Sequence, residues 1–115
     1  MIDWQRVRDL HDEIGSDGFA EVVDLFLAET GHVVSRLHDN PDQSGLENDL
    51  HFLKGGVLNL GFTQVAALCQ HGESVAAKGQ ALDVDIAEII QAYEIAQASF
   101  LAELPGQLSC HSSAG

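Results

Sequence analysis

Apolar residues recur along this chain at intervals of three and four, the period of a helix with one buried face, and strand-like alternation of period two is almost absent. Between Phe19 and Leu37 they fall at Phe19, Val22, Val23, Phe26, Leu27, Val33, Val34 and Leu37. Breakers punctuate the pattern at Gly15-Ser16-Asp17-Gly18, Asp39-Asn40-Pro41-Asp42, Gly61, Gly79 and Pro105-Gly106. Five helices are predicted: Asp3 to Ile14 with Asp3 as N-cap, Asp17 to His38, Asp42 to Leu60 stopped by Gly61, Thr63 to Ala77 with Thr63 as N-cap, and Asp83 to Leu104. Short connections between long amphipathic helices favour antiparallel neighbours. The expected fold is therefore all-α. Residues 1–104 form the bundle, and residues 105–115, small and polar after Pro105, form a flexible C-terminal tail.

With 115 residues, the chain suffices for one compact domain. No run of about 18 apolar residues exists to span a membrane, and the N-terminus lacks the basic and apolar segments of a signal peptide. The expected location is cytoplasmic. The formal net charge of −13 argues against nucleic acid and anionic membranes as partners. It also makes each cation informative, because the only lysines are Lys54 and Lys78. Cys69, in an apolar run, reads as a core residue, and Cys110, in the tail, as a free thiol.

The third helix departs from the others. On a helical wheel Leu46, Leu50, Leu53, Val57 and Leu60 fall within roughly 40° of one direction, which defines the core face. His51 points roughly 140° away from that stripe, and Gly55 lies nearly opposite it. A mid-helix glycine costs about 1 kcal/mol against alanine, and Gly56 adds a similar cost. Phe52, Leu58 and the nearby Phe62 also fall outside the core stripe, and Lys54 shares the side of His51. Each feature has an ordinary reading: a solvated histidine, a glycine under a packed neighbour, an apolar side chain against the next helix, a solvated lysine. Together they fit one task better. Gly55 leaves open space beside an exposed imidazole, the apolar ring forms a docking patch, and Lys54 meets a negative group carried on His51.

His51-Phe52-Leu53-Lys54-Gly55-Gly56, followed by Asn59-Leu60-Gly61-Phe62, resembles the signature of histidine-phosphotransfer (HPt) domains. Ile2-Asp3-Trp4, Leu25 to Thr30, Ala67-Leu68-Cys69 and Glu73 are similar to the family's layout as well, so that the likeness covers about residues 2 to 103. The resemblance implies an antiparallel four-helix bundle with a short extra N-terminal helix. It implies that His51 is phosphorylated, that Lys54 is the cation near the phosphoryl group, that Gly55 gives clearance and that Glu73 lies against the imidazole. Phe52, Gly56, Leu58 and Phe62 would meet the partner. Gly56 departs from the family, whose commonest residue there is serine.

The implied function is relay of a phosphoryl group through His51 between receiver-domain aspartates, with a response-regulator receiver and a hybrid-type sensor histidine kinase as partners. Neutral imidazole is a nucleophile, and a carboxylate on its other nitrogen fixes the tautomer. No nucleotide-binding loop is present, so the chain is expected to be a phosphocarrier without ATP-dependent kinase activity. No cofactor is expected on the chain itself, the Mg²⁺ being supplied by the receiver. No metal site is expected: a ferritin-like centre needs paired Glu-x-x-His motifs, and only Glu29–His32 has that spacing. A monomer fits a patch kept free for transient partners. The alternative is a non-catalytic HPt-like module that sequesters or inhibits a receiver or kinase.

Overall fold

A computed structural model describes residues 2–39 and 44–113, of which 109–113 are described by their backbone alone. Five α-helices follow in order: α1 (Trp4–Ile14), α2 (Ser16–Asp39), α3 (Leu46–Asn59), α4 (Thr63–Ala77) and α5 (Ile86–Ser113). A short 3₁₀ turn, Ala81–Asp83, links α4 to α5. Helices α2, α3, α4 and α5 pack as a ring, each touching the next, and α1 lies against α2, α3 and α5. Among the described residues there is no strand, only an isolated bridge between Ile2 and Phe62.

Local chemistry sets the helix ends. The Asp3 carboxylate accepts from the Arg6 amide at 3.2 Å and caps α1. At the other end of the chain Asp85 does the same for α5, accepting from the Glu88 amide at 3.0 Å. Helix α5 therefore begins at Ile86, and the expected start at Asp83 falls in the 3₁₀ turn. Between α3 and α4 the chain reverses at Gly61, with φ of +77°. The Gly61 carbonyl accepts from the Asp3 amide at 2.7 Å, and a Cβ on Gly61 would stand 2.6 Å from the Asp3 carbonyl oxygen. The N-terminal residues are thus strapped across the α3–α4 turn.

The core stripe expected on α3 is buried throughout: Leu46, Leu50, Leu53, Val57 and Leu60 are each at most 1% exposed. Burial of each such side chain stabilises the fold by about 1.5–3 kcal/mol. An aromatic cluster closes one end. Trp4 stacks on Phe100 at 5.6 Å between centroids, and Phe62 meets both Phe100 and Tyr93 edge-on.

Two expectations are corrected here. Phe62 is not part of an exposed patch, because it is fully buried. The wheel direction of α3 does not extend past Gly61, where the chain turns, and Phe62 flanks α4 with its ring in the aromatic cluster. Nor does the helix stop at residue 104. Helix α5 runs through Pro105 to Ser113. Proline removes one amide donor, but Leu104 and Leu108 pack against the core and the Arg8 guanidinium donates to Gln107 Oε1 at 3.1 Å. The expected tail residues 114–115, the side chains of Cys110 and His111, and the start of the third helix at Asp42 lie outside the described residues.

Candidate functional site

Helices α3 and α4 form the closest pair in the bundle. Gly72 makes this possible: a Cβ there would lie 2.8 Å from Leu50 Cδ1 and 3.1 Å from Val84 Cγ1. The residue that follows, Glu73, is thereby brought within reach of α3. On each helix two polar residues stand one turn apart, His51 and Lys54 on α3 and Gln70 and Glu73 on α4, so that the four side chains meet across the interface.

Glu73 joins the group together. Its Oε1 lies 2.8 Å from His51 Nδ1 and its Oε2 accepts from Lys54 Nζ at 2.9 Å. The Lys54 ammonium also donates to Gln70 Oε1 at 2.7 Å. The hydrogen bond from Lys54 holds the Glu73 carboxyl below the usual carboxylate range; partial desolvation opposes this, and the bond to His51 adds to it. An ionised carboxylate only accepts hydrogen bonds. His51 Nδ1 is therefore the donor, and in the neutral ring Nε2 keeps the lone pair. The imidazole side chain is 68% exposed, whereas Lys54 and Glu73 are 20% and 18% exposed. The support is half-buried and the imidazole stands out of it. An ammonium has three N–H groups, and two of them are engaged here.

Gly55 was expected to give clearance and Gly56 to meet the partner, but the missing side chain of Gly56 faces α2 instead. A Cβ at Gly55 would meet nothing within 4 Å, whereas one at Gly56 would lie 2.5 Å from Thr30 Cγ2. Gly55 thus keeps space open beside His51, and Gly56 lets α2 approach α3. Thr30 is fully buried, and its hydroxyl donates to the Phe26 carbonyl at 2.7 Å and accepts from the Tyr93 hydroxyl at 2.8 Å. A depression of about 320 Å³ next to His51 is lined by Phe26, Glu29, Phe52 and both glycines. Phe52 and Leu58 are half exposed, at 50% and 47%, and Phe52 lines the depression, while Phe62 is buried in the aromatic cluster.

Sequence reasoning missed Gln70, Asn59 and Glu29. Gln70 stands one turn before Glu73 on the same face of α4, but nothing in the sequence pairs it with Lys54. Asn59 donates to the Gly55 carbonyl at 3.1 Å and accepts from Arg6 at 2.8 Å, which ties α1 to the helix of His51. Cys69 is buried as expected, and burial, aided by the charge of Glu73, pushes its thiol up to about 12. Among the described residues no group of three or more His, Cys, Asp or Glu is arranged to hold a metal ion.

The Hpt domain family model matches residues 21–108. This chain belongs to the Hpt domain family. The match takes in most of α2, all of α3 and α4, and α5 as far as Leu108. Neither the curated proteins nor the solved structures gave a match. Hpt domains are phosphocarrier modules of two-component phosphorelays, not kinases, and histidine phosphotransfer is the chemistry of the family. No described helix of this Hpt domain is long and apolar enough to cross a membrane.

Proposed function

We propose that this Hpt domain relays a phosphoryl group through His51 between receiver-domain aspartates, taking it from one partner and passing it to another. The observation that carries the reading is the Glu73 carboxylate bound at once to His51 Nδ1 and Lys54 Nζ under an exposed imidazole. In the forward step the lone pair on His51 Nε2 attacks phosphorus of an aspartyl phosphate. The N–P bond forms, the P–O bond to the aspartate breaks, and the aspartate leaves as a carboxylate. The ring retains its Nδ1 proton and becomes cationic, and Glu73 faces that charge. Lys54 has one N–H left for a phosphoryl oxygen. Transfer to a downstream aspartate is the reverse of this step. Mg²⁺ and most of the stabilisation of the transferring group belong to the receiver, whose approach is allowed by the open space at Gly55.

The test is label transfer from a panel of phosphorylated receiver domains, comparing wild type with His51→Gln. Acid-labile label on wild type, absent from His51→Gln, is expected. Tight binding of a receiver without transfer would overturn the relay in favour of a sequestering module.

A further inference from the structure

Beside the depression at His51 a larger groove of about 550 Å³ lies between α2 and α3. The two share Glu29 and Phe52, which makes them one continuous surface. The groove is apolar where Ala28, Val33 and the half-exposed ring of Phe52 line it. Two carboxylates border it, and they differ. Asp49 is held by Arg36 at 2.6 Å across its far end. Glu29 is exposed, stands where the groove meets the His51 depression, and has no hydrogen-bond or ion-pair partner among the described residues. Leu25, Ala28, Glu29, His32 and Arg36 follow one another at helical spacing, so that one ridge of α2 presents an apolar side chain, the free carboxylate and the engaged arginine in line.

We propose that Glu29 is a specificity residue that receives a lysine or arginine of the receiver partner, from a helix whose apolar side chain, one turn away, seats over Phe52. This rests on the phosphotransfer reading above. Charge complementarity identifies the occupant. A chain of net charge −13 repels acidic surfaces generally, and its one unneutralised carboxylate in this groove stands where the partner must pass to reach His51. A groove between two helices accepts an amphipathic third helix, whose apolar residue would cover Phe52 and whose cation would reach Glu29. Arg36 does not compete for Glu29, because Asp49 holds it. A charge at the rim of an interface acts mostly on encounter rate and on partner choice.

The experiment begins by loading His51 with phosphoramidate, which needs no docking protein, in wild type, Glu29→Gln and Glu29→Lys. The loaded fraction of each is measured, and transfer is read per loaded chain. Transfer is then measured with the receiver domain that reacts fastest among a panel, at low and at physiological salt. Glu29→Lys is expected to lower the second-order rate by about tenfold at low salt and to flatten its salt dependence, with Glu29→Gln between the two. Reversing the facing lysine or arginine of that receiver to glutamate is expected to restore the rate with Glu29→Lys but not with wild type. If Glu29→Lys transfers at the wild-type rate and salt slope, the proposal is overturned while the relay stands. A chain that neither loads from phosphoramidate nor accepts from any receiver would overturn both.

Discussion

Alanine at the two adjacent glycines of α3 should move stability in opposite directions. Both sit in mid-helix with ordinary backbone angles, so that in each case alanine gains about 1 kcal/mol of helix propensity. At position 55 the new methyl meets nothing within 4 Å and the gain is realised in full. Gly55→Ala should raise the melting temperature by about 4 °C. At position 56 the methyl falls 2.5 Å from Thr30 Cγ2, well inside the 3.4 Å at which ordinary contact begins. Thr30 is unable to turn aside, because its hydroxyl is held by Phe26 and Tyr93 and its β-branched side chain is stiff. Helix α2 must shift instead, at a cost of about 1–3 kcal/mol for overpacking. The difference between the two variants isolates that cost, since their propensity gains cancel. Urea denaturation followed by far-ultraviolet circular dichroism measures it, with the slope checked for constancy. A Gly56→Ala variant as stable as Gly55→Ala would refute the reasoning, as would a Gly55→Ala variant weaker than wild type. Function should separate from stability at the same site. Gly55→Ala, though more stable, should accept label from a receiver at least about tenfold more slowly, because the methyl displaces the approaching aspartyl phosphate.

Three further outcomes follow from the site and the core. Because the Glu73 carboxyl is held below its ordinary value of 4.5 by Lys54, the stability it lends is complete above that value and is lost as pH falls through the lowered one. The stability gap between wild type and Glu73→Gln should therefore narrow in acid, as pH falls through that lowered value, and urea titrations at several pH values would register it. Cys69, whose thiol is pushed up to about 12, should resist a thiol-directed reagent at pH 8 until the protein unfolds, with peptide mapping to distinguish it from Cys110. Thr30→Val should strand the buried Tyr93 hydroxyl and cost about 1–3 kcal/mol; double substitution with Tyr93→Phe should recover part of this, as a thermodynamic cycle would reveal.

Periodicity made the bundle legible because α3, the helix that matters most, has a core stripe whose five residues are all buried. The same wheel set His51 outside and Gly55 over open space, which the structure places there. It failed at Phe62 because a wheel has meaning only while the helix lasts, and Gly61 ends this one with a positive φ. Pro105 misled for a different reason. A single missing amide is a weak local signal, and the tertiary contacts of Leu104, Gln107 and Leu108 outweigh it. Gln70 was overlooked because no local pattern marks it: its partner, Lys54, is 16 residues away and becomes a neighbour only when α4 folds back on α3.

The placing of His51 on the outer side of a helix whose inner side is wholly packed has a kinetic meaning. His51 is carried on a helix rather than a loop, and Lys54 and Glu73 are already tied to each other across the α3–α4 interface. The entropy that association ordinarily loses to ordering at an interface was lost when the chain folded. A partner can therefore be met, used and released over a small area without the tight binding that would be needed to organise a flexible site. In the proposed relay, where the carrier must leave one protein in order to reach the next, short residence on each is the useful property.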